Sequence, residues 1–457
     1  MFVFLLFLLL VILITLRVII RDSMSRLFGL VIFSYWFIVL LISQFNPFEL
    51  YDVSLSSNLM VLLGVISFII GYSSIPWNKF SNYSSYKIDY KYGIIDLDYV
   101  LKNKYIRLIF LACFLIILNV ARKQWVVILL QGGLGNLKLD LFELVFEGNH
   151  LLYFIYNVVI FPMFHLCIAI ESFMIINFER KRLKYLVIIA LYILVFCFVG
   201  GKRAYFLTFF FSFFYVLLLS STYIIRYKRQ SHFIRKSILP IAVFFSFAFV
   251  GMIYMTSLSG GTDSDSDRMK EVGTDLAKQF VVYSVGPLRA LDISMKKDYV
   301  GTTGGHTWGV ASFGGALEYY MCALNNRLGG DAKTVNYRTM VVMQDNEVAI
   351  GKDTTFNYAY TAFLYFYYDF NIIGIIIISF LYGFFVRFLI LQLTRYRTVG
   401  AMAVVGFQFF ICMQYLQFWA YTVLYAQPVL VYFYYLHKKE INNKKTAYKL
   451  LLSNKNK

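Results

Sequence analysis

The chain has 457 residues, of which 60% are hydrophobic and 15% charged, and a formal net charge of +18. A soluble domain carries about a quarter charged residues, whereas the apolar residues here come in blocks of ~16 to 20 or more, long enough to cross a hydrocarbon core. A soluble enzyme is excluded, a β-barrel is excluded by the lack of polar–apolar alternation, and the basic residues sit in short clusters between apolar blocks, so topology and not nucleic acid accounts for the charge.

Each apolar block satisfies its own backbone hydrogen bonds only as a helix. The first, Met1–Ile20, lacks a basic leader and a small-residue cleavage site, and reads as a retained helix. In chain order the predicted spans are 1–20, 27–43, 59–75, 106–121, 151–177, 185–199, 204–225, 237–256, 372–394, 400–418 and 420–436. The expected fold class is all-α, a polytopic transmembrane helix bundle of about eleven helices with one large folded extracytoplasmic loop. Its expected divisions are 1–256 (eight spans with short loops), 257–357 (the large loop), 358–436 (an interfacial stretch and three spans) and 437–457 (a basic tail).

Charge sets the orientation. Segments 21–26, 76–105, 178–184, 226–236, 395–397 and the tail from His437 are all net basic. They alternate with 44–58, 122–150 and 257–357, which are neutral or acidic. Basic segments face the cytoplasm, so the amino terminus is expected outside and the tail inside, as a solvated anchor. Cys113, Cys167, Cys197, Cys322 and Cys412 are scattered, and no disulfide or metal framework is expected from them.

Segment 257–357 is rich in Gly, Asp, Asn and Thr and cannot lie in lipid. Loops this long are usually functional or disordered. Past residue ~280 its Tyr and Trp content supplies surface to pack or to stack on sugar rings, so it is expected to fold over the outer mouth of the bundle. Short helices are predicted near 265–295 and 310–327. Asp263, Asp265 and Asp267 alternate with serines in a Gly/Ser-flanked run, which reads as a flexible, solvated acidic turn. Residues 356–371 are aromatic and nearly uncharged, and are predicted to form an interfacial stretch entering the helix at 372–394.

Candidate chemistry starts with Gly200-Gly201-Lys202-Arg203, a hairpin whose cations fall on the outer side, against the charge bias. Two glycines, two cations and the amino end of the next helix suit a phosphate or pyrophosphate; a snorkelling hairpin without ligand is the other reading. Arg122 and Lys123 read as a helix-end anchor. Within the loop, Arg289, Arg327 and Arg338 are further candidate cations. His306, in Gly304-Gly305-His306-Thr307-Trp308-Gly309, is a candidate general base, with Glu318 and Asp369 as alternatives. Trp308, Tyr319 and Tyr320 are candidate sugar-stacking residues. Arg387, about two turns from the end of its helix, is expected to snorkel inward.

Three stretches resemble the Wzy-type O-antigen polymerases of bacterial envelopes, which join oligosaccharide repeat units. They are the Gly200–Arg203 hairpin, the loop from Gly304 to Gly330, and Thr354 to Gly383. In the last, Tyr368-Asp369-Phe370-Asn371 precedes Ile372-Ile373-Gly374, where the family often reads Asp-Phe-Gly; Asn371 replaces that glycine. The layout of many helices, one large outer loop in the last half and a basic tail matches along nearly the whole chain.

The resemblance implies a glycosyltransferase of the bacterial inner membrane. The donor would be a growing glycan on undecaprenyl pyrophosphate, and the acceptor a lipid-linked repeat unit. Lys202 and Arg203, with Arg289, Arg327 or Arg338, would grip the pyrophosphate, and His306, Glu318 or Asp369 would activate the acceptor hydroxyl. No metal, cofactor or nucleic acid is implied. Membrane lipid, a chain-length regulator and a flippase are the implied partners. An O-antigen ligase-like enzyme of the same layout, a flippase for the same lipid-linked oligosaccharide, and a non-catalytic assembly protein are the competing readings.

Overall fold

A computed structural model describes residues 2–75, 150–160, 268–297, 305–334, 348–352, 354–356, 361–396, 398–416 and 426–455, with single positions at 162 and 163, between 108 and 123 and between 211 and 219. In chain order these give α1 (Phe2–Ile14, continued by a π-helical turn Thr15–Ile19), α2 (Ser23–Ser43), α3 (Leu55–Ser73) and α4 (His150–Ile155). Then come α5 (Arg268–Lys296), α6 (Val310–Phe313), α7 (Gly315–Arg327), a hairpin of β1 (Val348–Gly351) and β2 (Thr354–Phe356), α8 (Ala362–Tyr396), α9 (Val399–Gln414) and α10 (Gln427–Lys455). Helices α2, α3 and α8 are long and apolar enough to cross a membrane, and the apolar segments Val3–Ile19 and Val399–Gln414 are shorter. The described chain is thus mostly helical and compatible with a membrane protein. The spans expected at 185–199 and 237–256 lie outside the described residues, as do half of that at 106–121 and most of those at 151–177 and 204–225.

Polar residues start these helices where the apolar runs begin. The Asp22 carboxylate accepts from the Ser25 N–H at 2.8 Å and caps α2. Ser54 and Thr398 cap α3 and α9 in the same way. Helices α3 and α8 then pack backbone to backbone, Gly71 against the Phe380 carbonyl and Gly383 against that of Phe68. Small residues allow this approach where lipid offers no hydrophobic drive. Around it lies an aromatic core: Trp36 donates to the Cys412 carbonyl at 2.7 Å, and Tyr415 stacks on Trp36 and on Tyr382.

Side-chain pairs fix which ends lie together. Segment 44–54, α5, the chain from Gly305 to Phe313, the hairpin and the start of α10 meet at one end of the bundle. Asp22, Tyr72, Arg387, Thr398 and His437 gather at the other.

Three expectations are corrected. First, residues 362–371 do not skirt the membrane surface. They are the first turns of α8, with Phe363, Leu364 and Phe366 fully buried. Phe363 fills the space beside Gly64 and meets Tyr415 edge-on at 5.2 Å, so the aromatic run serves the core. The helix is broken within, at Phe370 and Asn371, and Asn371 has φ 59° and ψ −149°. That backbone region is essentially reserved for glycine and costs another residue ~1–3 kcal/mol. Asn371→Gly is therefore expected to raise the melting temperature in detergent and Asn371→Val to lower it; an unchanged or reversed order would show that the bend carries no strain.

Second, α10 does not end near residue 436. It runs to Lys455, because His437 and Glu440 are buried beneath α9. Thr398 and the His437 ring nitrogen Nδ1 are 2.6 Å apart, and Glu440 accepts from the Val399 N–H at 3.1 Å. Third, Arg387 does not snorkel. It is buried against Asp22 at 3.4 Å and donates to the Tyr72 carbonyl at 3.0 Å.

The hairpin was not expected. Its strands pair antiparallel with a bulge near Gly351, and Tyr51 donates to the Ile350 carbonyl at 2.8 Å, tying the hairpin to the α2–α3 loop.

Candidate functional site

The site is built on Asp369, near the bend in α8. Its carboxylate is fully buried and accepts four hydrogen bonds. Three come from backbone N–H groups, those of Gly309 (2.7 Å), Ala311 (3.1 Å) and Ser312 (2.8 Å), and one from the Thr307 hydroxyl (2.6 Å). The carboxylate thus satisfies the free amino end of α6. The Thr307 N–H donates to the Tyr368 carbonyl at 3.0 Å. Together these bonds fasten the loop 305–313 to the start of α8. The loop around Gly304–Gly330 and the stretch Thr354–Gly383 therefore meet here, with Asp369 as the pin between them.

The pinned loop presents two side chains outward. His306 is exposed, and its Nδ1 lies 3.1 Å from the Tyr368 carbonyl. A carbonyl only accepts, so Nδ1 carries the proton in the neutral ring and Nε2 is left as the acceptor. Trp308 is 76% exposed at φ 51°. Its ring lies edge-on between His306 (6.3 Å) and Phe370 (6.1 Å). A bulky residue at positive φ is costly, and such strain clusters at functional sites. Gly309, at φ 94°, turns the chain into α6.

The other candidates are placed unevenly. Glu318 is half-buried in the first turn of α7, Tyr319 stacks on Phe154 at 5.3 Å, and Tyr320 is exposed. Arg327 is exposed at the carboxyl end of α7. Lys202, Arg203 and Arg338 lie outside the described residues.

Arg289 is placed elsewhere. It is buried in α5, and its five N–H groups go to the Tyr51, Val285 and Ser43 carbonyls, the Ser43 hydroxyl and Asn46 Oδ1. Burial pulls its pKa down to about 10, so it remains a cation at neutral pH. Its donors are all spent on the α2–α3 loop, which makes it a strut under the cap and leaves none for a pyrophosphate.

Asp292, one turn on, latches α5 to α3. It accepts from the hydroxyls of Ser54 and Ser57, and Lys296 Nζ lies 2.7 Å away. Burial pushes this carboxyl up, but the bonds from Lys296, Ser54 and Ser57 outweigh it and hold its pKa below the usual carboxylate value. A carboxylate depressed on folding contributes stability above its unfolded pKa of about 4 and loses it as the pH falls through the folded value. The α5 latch is therefore expected to stay shut at neutral pH and to loosen below about pH 4. Hydrogen exchange across 281–296 measured against pH would follow this, and Asp292→Asn should remove the acid transition.

No family model, curated protein or solved structure matches this chain.

Reasoning from sequence found His306, Trp308 and Asp369 but not the bonds that join them, and it missed Thr307. The signal for Thr307 lay in the order of residues. A Thr-x-Gly-x-Ala-Ser run whose N–H groups open a short helix needs an acidic cap, and the chain nearby supplies none.

Proposed function

We propose that this protein is a membrane glycosyltransferase that joins lipid-diphosphate-linked oligosaccharide repeat units at the outer face of a bacterial inner membrane, as the Wzy-type polymerases do. The observation that carries the reading is the Asp369 pin, which holds an exposed histidine and an exposed tryptophan at the mouth of the bundle. In this reading the capped end is extracytoplasmic, with the amino terminus outside and the α10 end inside.

The reaction needs three things. An acceptor hydroxyl must lose its proton as its oxygen attacks the anomeric carbon of the donor sugar. His306 Nε2 takes that proton; Asp369 has both oxygens occupied and acts by positioning the loop. The bond from that carbon to the lipid diphosphate must break, and fixed cations must take the developing charge. Lys202 and Arg203 are assigned this role, with Arg327 and Arg338 as further candidates. The sugars must be held, and the exposed face of Trp308, beside His306, suits stacking.

Deleting the gene and resolving the surface polysaccharide on a gel tests this. The expected result is a core lipid bearing a single repeat unit. Loss of all repeat units, with chains left on the carrier, would instead indicate a ligase, and a normal ladder would remove both readings. In the complemented strain, His306→Ala and Arg203→Ala are each expected to cut chain extension ~100-fold or more, with protein level unchanged. Normal extension by His306→Ala would rule it out as the base.

A further inference from the structure

We propose that α7 is a membrane-interface helix, embedding one face in the outer leaflet beside the bundle. The inference rests on the shape of the cap and on α8 as a spanning helix, and does not depend on the catalytic reading.

Helix α7 has two opposed faces. Gly315 and Ala316 are buried, and Tyr319 stacks on Phe154, so this side rests on the protein. Leu317, Tyr320, Met321, Leu324 and Leu328 are all exposed, Leu328 at 81%. Their spacing of three, four, seven and eleven places them on one stripe about 100° wide. A soluble surface rarely leaves such a stripe uncovered.

What covers it follows from its neighbours. Trp308 touches Phe370, and Phe370 leads into Ile372, Ile373, Ile376 and Ile377, the exposed side of α8. That side of a spanning helix faces lipid. The chain passes from Trp308 through α6 directly into α7, so the stripe follows closely on that lipid-facing side. The stripe carries no charge, and its polar additions are of the interfacial kind. Tyr320 lies within it, and Arg327 stands at the end of the helix, within reach of headgroup phosphates. The occupant is the bilayer, and α7 lies along its surface with the whole stripe at one depth. This sets the pinned loop and His306 at headgroup level, where the diphosphate of a lipid-linked glycan also lies.

Spin labels placed singly along α7 test this, on full-length cysteine-free protein in vesicles. At 317, 321, 324 and 328, collisions with oxygen should exceed those with a water-soluble nickel reagent, and positions 325 and 326 should show the reverse. In the otherwise unaltered chain, a photoreactive phenylalanine analogue at Met321 should crosslink to phospholipid, which guards against a cysteine-free background that folds poorly. Nickel access along the whole stripe would overturn the proposal. So would protection from both reagents, or crosslinks to protein in place of lipid, because a partner or a second copy would then cover the face.

Discussion

Asp369→Ala is expected to free the loop 305–313 from α8 and to abolish chain extension while leaving the spanning helices folded. The substitution removes the acceptor for three backbone N–H groups and one hydroxyl. Hydrogen bonds to a charged group contribute ~1.5–3 kcal/mol each. Some of the freed donors will find water, so a local loss of about 4–6 kcal/mol is reasonable. That exceeds what a short loop holds in reserve. Asp369→Asn keeps the volume and one carbonyl acceptor, so it should fall between alanine and wild type. Hydrogen exchange at 305–313 reads the loop directly, and exchange within α3 serves as the control. If Asp369→Ala leaves that loop protected, the pin is not what holds it.

The second large effect sits at the opposite end. Arg387→Met should destabilise the bundle by ~3–5 kcal/mol, because it leaves the Asp22 carboxylate buried without its cation. Among the described residues, Asp22 would keep only the Ser25 N–H as a bonded donor to its carboxylate. The double variant Asp22→Asn, Arg387→Met should recover most of the loss, since well-packed neutral residues often replace a buried pair at little cost. Thermal unfolding of the three proteins in the same detergent gives the cycle. A double variant as unstable as Arg387→Met alone would mean that the arginine acts through its bond to the Tyr72 carbonyl and not through Asp22.

The spanning elements were legible because length and apolarity are local properties. The runs at 27–43 and 59–75 read as helices from the sequence alone, and α2 and α3 lie there. The loop helices were legible too: short helices read near 265–295 and 310–327, where α5 and α7 form. What escaped was long-range pairing. Arg289 reaches Tyr51 across 238 positions, Thr307 reaches Asp369 across 62, and Arg387 reaches Asp22 across 365. A lone arginine in an apolar run gives no sign of whether it snorkels or finds a carboxylate. The aromatic run 362–371 misled in the same way. Phenylalanine at a membrane surface and phenylalanine in a core look alike in sequence, and only the space beside Gly64 distinguishes them. Asn371 is the converse case, where only the bend in α8 reveals a backbone position that favours glycine.

Which compartment the pinned loop faces decides the account, because the proposed joining of lipid-linked repeat units takes place outside. A single cysteine at position 308, in a chain otherwise free of cysteine, can be tested with a membrane-impermeant maleimide on intact spheroplasts. The account predicts that Trp308→Cys is labelled without lysis. Labelling only after the membrane is opened would place the loop in the cytosol and contradict it.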